Sequence, residues 1–258
     1  MTEAITVVKI GGNVIDDAAA LKRFLKEFAA LPGRRILVHG GGKLATRLAE
    51  RLELKVRMVE GRRITDKGML DVVTMVYAGL ANKQIVAGLQ AAGCNAIGLS
   101  GADANVITAR RSPEPIDFGF VGDIERVDAP RLASLLDAGL TPVFSAIMHD
   151  GHGTLLNCNA DSVASAVALG AARLAPTDLV YCFEKRGVLR NPDDEESVIR
   201  TITPESYPPL KADGTVSKGM IPKIENALRA VAQGVRSVTI RSSEALGDGS
   251  GTRITQTE

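Results

Sequence analysis

A chain of 258 residues with 45% hydrophobic content has enough apolar matter for a sizeable core, either as one large α/β domain or as two lobes sharing a sheet. Lysine and arginine number 31 against 30 aspartate and glutamate, so no surplus charge points to nucleic acid or an anionic membrane as the main partner. Cys94, Cys158 and Cys182 are far apart, lack metal-ligand spacing and read as reduced core thiols, which suits a cytoplasmic setting; no leader pattern or bilayer-spanning apolar run is expected.

In chain order, the apolar run ending at Val7-Val8-Lys9-Ile10-Gly11-Gly12 reads as a buried strand that delivers one lysine and two glycines to its carboxyl end. Apolar residues at helical spacing predict a helix over Ala18–Ala30, closed by Pro32-Gly33, and Ile36–Val38 predicts the next strand, giving a βαβ opening. That strand ends in His39-Gly40-Gly41-Gly42-Lys43 ahead of a helix over Leu44–Leu52, whose positive dipole end faces any anion held by the glycines. A small hairpin is expected over Val56–Val59 and Arg62–Thr65, then two helices over Lys67–Tyr77 and Ala81–Ala92, then a strand ending at Leu99.

Asn105–Ala109 and Phe118–Val127 predict a hairpin over one edge of the sheet. Next come a helix over Pro130–Ala138, strands over Val143–Ala146 and Thr154–Leu156, and a small-residue helix over Ser162–Gly170 suited to close packing. His149 and His152 flank a turn between those strands, where a Gly/Asp-rich loop explains the pattern better than a metal site. Beyond Ala175-Pro176 a second lobe is expected: strand Asp178–Phe183, helix Lys218–Gln233, strand Ser237–Ile240 and an edge strand within Gly247–Thr255. Alternating strands and helices argue for a mainly parallel sheet covered on both faces, a three-layer αβα sandwich.

Two strand-to-glycine turns, each opening a helix, point to one phosphate site built from adjacent strand ends; each alone is also an ordinary tight βα turn. A dinucleotide fold would require G-x-G-x-x-G after the first strand, and a Walker loop would require Ser or Thr after Lys43, where Leu44 stands.

Six segments in order, Lys9-Ile-Gly-Gly, His39-Gly-Gly-Gly, Gly98-Leu-Ser-Gly-Ala-Asp103, Gly119-Phe-Val-Gly122, Asn157-Cys-Asn-Ala-Asp161 and Gly219-Met-Ile-Pro-Lys223, resemble the amino-acid kinase family along almost the whole chain. The third and fourth are most specific to its members that phosphorylate N-acetylglutamate. The resemblance implies residues 1–175 as an N-terminal lobe binding the acylated amino acid and 176–258 as an ATP-binding lobe. It implies ATP with Mg2+, and transfer of the γ-phosphoryl group to the side-chain carboxylate of N-acetyl-L-glutamate in arginine biosynthesis. The same chemistry on N-succinylglutamate or an N-blocked aminoadipate, and a non-catalytic amino-acid sensor, remain alternatives.

By the same resemblance Lys9 and Lys223 stabilise the transferring phosphoryl group, and Asp161 holds the two lysines, with an N-cap of the following helix as its alternative or additional role. Gly11, Gly12, Gly41 and Gly42 donate backbone N–H groups, while Arg63 and Asn157 grip the acylated amino acid. Arg62 should point away from Arg63 in a regular hairpin. Glu184, Lys185, Thr215, Val216 and Ser217 are the nucleotide-lobe candidates. The chain departs from the family there, with Cys182-Phe-Glu-Lys-Arg-Gly-Val188 in place of Thr-Asp-Val-x-Gly-Val, and a surface turn reads Glu184 and Lys185 equally well. Phe144-Ser-Ala-Ile-Met148 also departs, next to the expected acyl pocket. The family's arginine-inhibited members carry an extra N-terminal helix; starting at the first strand implies a homodimer without arginine feedback.

Overall fold

The computed structural model describes residues 3–59, 61–113, 116–191, 193–216 and 219–257. The chain opens with β1 (Ile5–Ile10), a short α1 (Gly12–Asp16), α2 (Ala18–Ala30), β2 (Arg34–His39) and α3 (Gly42–Arg51). The hairpin β3 (Met58–Val59) and β4 (Arg62–Arg63) precedes α4 (Lys67–Val73), which runs through a π-helical stretch, Thr74–Ala81, into α5 (Asn82–Ala91). Then follow β5 (Ala96–Leu99), β6 (Ile107–Arg111), β7 (Val121–Val127), α6 (Ala129–Asp137), β8 (Thr141–Ser145), β9 (Ile147–His149), β10 (Leu155–Cys158) and α7 (Ala160–Ala172). The last part comprises β11 (Thr177–Phe183), β12 (Thr201–Ile202), α8 (Tyr207–Ala212), α9 (Ile221–Ala232), β13 (Ser237–Ser242) and β14 (Thr252–Ile254).

Eight strands form the central sheet in the order β12-β14-β13-β11-β1-β2-β8-β5. All its neighbours are parallel except β13 and β14. β1 pairs with both β2 and β11, so the sheet runs unbroken across the junction between residues 175 and 176. Strand alternation sends Val7, Leu179 and Tyr181 into one core layer with α7 and α9, and Val8, Ile10 and Cys182 into the opposite layer with α2 and α5. The small residues of α7 let it sit close: a Cβ at Gly170 would come 2.7 Å from Val127 Cγ1. Aspartates at the starts of α2, α4 and α6 cap them through Asp17, Asp66 and Asp128.

Four expectations change. Lys67–Ala91 is one continuous 25-residue helix, long and apolar enough to cross a membrane, whereas the sequence suggested two helices and no such run. One face of it packs on the protein: Met69, Leu70, Val73, Ile85 and Leu89 are all buried, while Met75 and Leu80 of the π stretch are exposed. Strands β6 and β7 do pair antiparallel, yet they close a four-stranded barrel with β9 and β10 and do not cover a sheet edge. Pairing on all sides removes exposed strand edges beside the site. Finally, β14 lies inside the sheet, and the edge falls to the two-residue β12, which has no run long enough to signal a strand.

Candidate active site

The site forms where β1 and β2 end. Gly11 caps α1 and Gly41 caps α3, in both cases with no side-chain oxygen on the first-turn amides, so backbone N–H groups face the space beyond the strands. Glycine is required at position 41 by contact, since a Cβ there would come within 2.8 Å of Tyr77 Cδ1. Behind the loop, buried His39 fixes its path: Nδ1–H donates to Gly40 O at 2.8 Å and Nε2 accepts from Asn82 Nδ2 at 3.0 Å, while Asn82 also donates to Val143 O. Complete burial, opposed by the bond to Gly40 and aided by Lys83, pushes the imidazole down to about 4, so it is neutral at physiological pH.

On one side of the glycines lies a cavity of about 190 Å³ whose wall includes Gly41, Gly42, Arg63, Tyr77, Ala146 and Asn157. Arg63 is buried; one guanidinium nitrogen, Nη2, donates to Gly42 O at 3.0 Å and Thr46 Oγ1 at 2.9 Å, whereas the buried Nη1 has no protein partner. A buried cationic donor with one nitrogen unsatisfied is set to take a carboxylate. Asn157 Nδ2 donates to Thr65 Oγ1 at 3.0 Å, which orients its amide. In the hairpin, Arg63 faces Met58 and Arg62 faces Val59. Arg62 indeed turns elsewhere, to Asp123 at 2.9 Å and onto the Phe118 ring, although it also contributes to the cavity rim.

On the other side opens a cleft of about 760 Å³ that reaches Gly11, Gly12, Lys43, Phe183, Glu184 and Lys223. Lys9, on the strand that leads into Gly11, is buried, with Nζ 2.8 Å from Asp161 Oδ1. The approach is oblique and that oxygen makes no directional hydrogen bond, so the contact is an ion pair held by charge. Asp161 occupies the first turn of α7, but the N-cap is Asn159, whose side chain accepts from the amides of Asp161 and Ser162. The capping role considered for Asp161 therefore belongs to Asn159, which leaves the aspartate free to face Lys9. Lys223, in the first turn of α9, has its Nζ 3.6 Å from the centroid of the Phe183 ring. Burial and then the charge of Lys9 push its ammonium below the ordinary lysine range, against the pull of Asp161 and Glu184.

The remaining candidates are placed as follows. Glu184 and Lys185 line the large cleft, with Lys185 also pairing with Glu195 at 3.4 Å. Thr215 and Val216 lie outside both cavities; the amide of Thr215 donates to Asp213, and Val216 packs in the core. Ser217 falls outside the described residues. Reading the sequence missed Tyr77, Asn13 and Phe183 as parts of the site. Tyr77 stands in the π-helical stretch and Asn13 accepts from Lys43 Nζ, contacts set by tertiary structure with no local pattern to reveal them. The turn at His149 and His152 is closed by Asp150, which accepts from the amides of His152 and Thr154. The three cysteines are buried and free, and burial raises Cys158 and Cys182 to about 12.

The sequence profile of the amino acid kinase family matches residues 4–242. An acetylglutamate kinase of Phocaeicola vulgatus is 51% identical over 255 residues, covering 98% of this chain and 99% of its own. Among solved structures, a Streptococcus mutans protein superposes with a TM-score of 0.79 at 28% identity, over 98% of this chain and 99% of that one. N-acetylglutamate synthase of Neisseria gonorrhoeae, complexed with coenzyme A and N-acetyl-glutamate, gives 0.82 at 24% identity over 98% of this chain and 60% of that one, a likeness of fold. On a profile that spans nearly all of it and a relative that matches it over almost its whole length, the chain belongs to the amino acid kinase family.

Proposed function

We propose that this protein is an ATP-dependent kinase that phosphorylates the side-chain carboxylate of N-acetyl-L-glutamate. The observation that carries the reading is Gly42, which forms wall of both cavities and so puts an acylated amino acid and a nucleotide end to end across one glycine loop. The Phocaeicola vulgatus relative is an acetylglutamate kinase, which supports the same reaction class. The Arg63 guanidinium takes the α-carboxylate of the acceptor, and Asn157 meets its acyl amide.

The acceptor carboxylate is ionised at neutral pH, so no residue has to remove a proton. Its oxygen bonds to the γ-phosphorus of ATP as the bond from that phosphorus to the β-bridging oxygen breaks, giving an acyl phosphate and ADP. What the chain supplies is alignment and charge: Lys9 and Lys223 neutralise the transferring group from two sides, and the amides at Gly11, Gly12, Gly41 and Gly42 hold its oxygens. Asp161 keeps Lys9 extended toward the junction.

The large cleft suits a nucleoside triphosphate, with the glycines at the uncapped start of α1 and with Lys43 and Lys223 in its lining. Among the described residues no three acidic, imidazole or thiol side chains converge on a metal position. Glu184, Asp17 and Glu244 are the carboxylates of the cleft that would meet a Mg2+ ion carried on the nucleotide phosphates, where the ion would shield phosphate charge. The exposed Met75 and Leu80 of the π stretch support a homodimer, which a sedimentation experiment checks, and reduced buried thiols suit the cytoplasm.

The decisive assay traps acyl phosphate with hydroxylamine in the presence of ATP and glutamate, N-acetylglutamate, N-succinylglutamate, aspartate or N-acetylaminoadipate. The expected signal is confined to N-acetylglutamate. Preference for the succinyl compound would move the substrate and keep the mechanism, and silence with ATP still bound would overturn catalysis in favour of sensing.

A further inference from the structure

Strand β11 carries Tyr181 in register with Lys9 of β1, so the two share a face of the sheet, and alternation puts Phe183 on that face two residues on. There the Phe183 ring meets both lysines of the site. Lys223 Nζ is 3.6 Å from its centroid and Lys9 Nζ is 5.6 Å from it, distances at which the negative face of an aromatic ring attracts an ammonium group. Lys9 has Asp161 as its counter-charge, whereas among the described residues Lys223 makes no ion pair. The ring is itself braced. Tyr181 stacks on it with centroids 6.1 Å apart and planes 27° from parallel, and the Tyr181 hydroxyl donates to Asp161 O at 3.1 Å. Phe183 is only half-buried: it packs against the edge of the core and forms part of the wall of the large cleft.

We propose that Phe183 is a positioning residue for phosphoryl transfer, its π face being the platform that holds the Lys223 ammonium on the wall of the large cleft beside the Lys9–Asp161 pair. The inference rests on the kinase reading above. Two ammonium groups brought to one phosphoryl position repel each other before the anion arrives, and a long, flexible lysine side chain has many competing rotamers. A ring beneath the ammonium offsets that repulsion without adding an anion that would compete with phosphate for space. It leaves the donors on the opposite side of the ammonium free for phosphoryl oxygens. The segment from Cys182 to Val188, where this chain departs from its family's pattern, thereby gains a role at the site distinct from the nucleotide contacts considered for Glu184 and Lys185.

The test replaces Phe183 in the full-length protein with mono-, di- and trifluorinated phenylalanine, which keeps the shape of the ring while draining its π density. The proposal predicts a stepwise fall in kcat, about tenfold by the trifluoro ring, with KM for N-acetylglutamate unchanged. Phe183→Tyr should retain the parent kcat, and Phe183→Leu should lose at least as much as the trifluoro ring. A flat kcat across the fluorinated series in an active enzyme overturns the proposal, because packing alone is insensitive to ring electronics. A readout free of turnover is the NMR shift of the Lys223 ε-methylene protons, expected upfield through the ring current of Phe183 and back at the ordinary position in Phe183→Leu. An ordinary position in the parent overturns the platform. The upfield shift in a parent silent toward every acceptor upholds the platform and overturns the kinase reading instead.

Discussion

The two cavities that meet at Gly42 are built in different ways. The smaller one is walled by buried backbone and by side chains already held from behind: Arg63 by Gly42 O and Thr46, Asn157 by Thr65, and the loop itself by His39 and Asn82. The larger one is bordered by the exposed turn at Glu184 and Lys185; on its wall Lys223 lies over Phe183, and next to that ring Lys9 is held by Asp161. On the proposed reading the first is a recognition site held in place before the ligand arrives, with the Arg63 guanidinium as the cation for the ligand's carboxylate. The second is larger and lined by charges of both signs, Lys43, Lys185 and Lys223 with Asp17, Glu184 and Glu244, and on the proposed reading it takes the nucleotide. Changes to the small cavity should therefore act on acceptor binding, and changes at the large one on the chemical step.

The sharpest break in that contrast comes from the lysines. Lys223→Ala and Lys9→Ala are expected to lower kcat by about a hundred- to a thousandfold, since each removes a charge aimed at the transferring group. Steady-state kinetics should show KM for N-acetylglutamate little changed; a variant as active as the parent would remove these residues from the mechanism. Lys9→Ala also strands Asp161, so its fold should be checked by circular dichroism first.

Next in size is Arg63→Lys. The charge is kept but the planar fork is lost, and KM for the acceptor should rise about tenfold to a hundredfold while KM for ATP holds. Equal rises for both substrates would show that the two cavities are not separate recognition sites.

His39 sharpens the comparison through pH. Its folded value of about 4 lies below the ordinary 6.5, so between those values the unfolded chain binds a proton that the folded chain refuses. Stability from this group is complete above about pH 6.5 and declines as the pH falls toward 4. The parent should lose about 2 kcal/mol more than His39→Gln between about pH 7.5 and about pH 5 in denaturant titrations. Parallel pH profiles would mean that the imidazole is not the buried neutral anchor of the glycine loop.

The smallest effect belongs to Lys185→Ala. That side chain is exposed and already shares Glu195, so stability should move by less than about 0.5 kcal/mol. KM for ATP should change by less than about threefold. A larger change would give the exposed turn a direct part in nucleotide binding.

The contrast also explains what was legible from the sequence. The first strand, the Ala18–Ala30 helix and the glycine turns were readable because apolar periodicity and Gly-Gly punctuation are local signals, and they recur at the positions seen. Arg63 and Asn157 came from motif agreement, and the structure brings both to one cavity. The barrel of β6, β7, β9 and β10 was not readable, because closure depends on pairing between segments far apart in sequence. The continuous Lys67–Ala91 helix was hidden because its π turn breaks the regular spacing. Asn159 as the cap of α7 was masked by the more conspicuous acid two residues on. Phe183 carried no signal of its own, since a lone aromatic at the end of a strand reads as core until two lysines from other elements are found over it.

The measurement that bears most directly on the meeting of the two cavities is a crystal structure with N-acetylglutamate and a non-hydrolysable ATP analogue bound together. The predicted result has the α-carboxylate on Arg63, the side-chain carboxylate in line with the γ-phosphorus beside Gly42, and Lys9 and Lys223 on the phosphoryl oxygens. An acceptor bound away from Arg63, or a γ-phosphate out of reach of both lysines, would contradict the account.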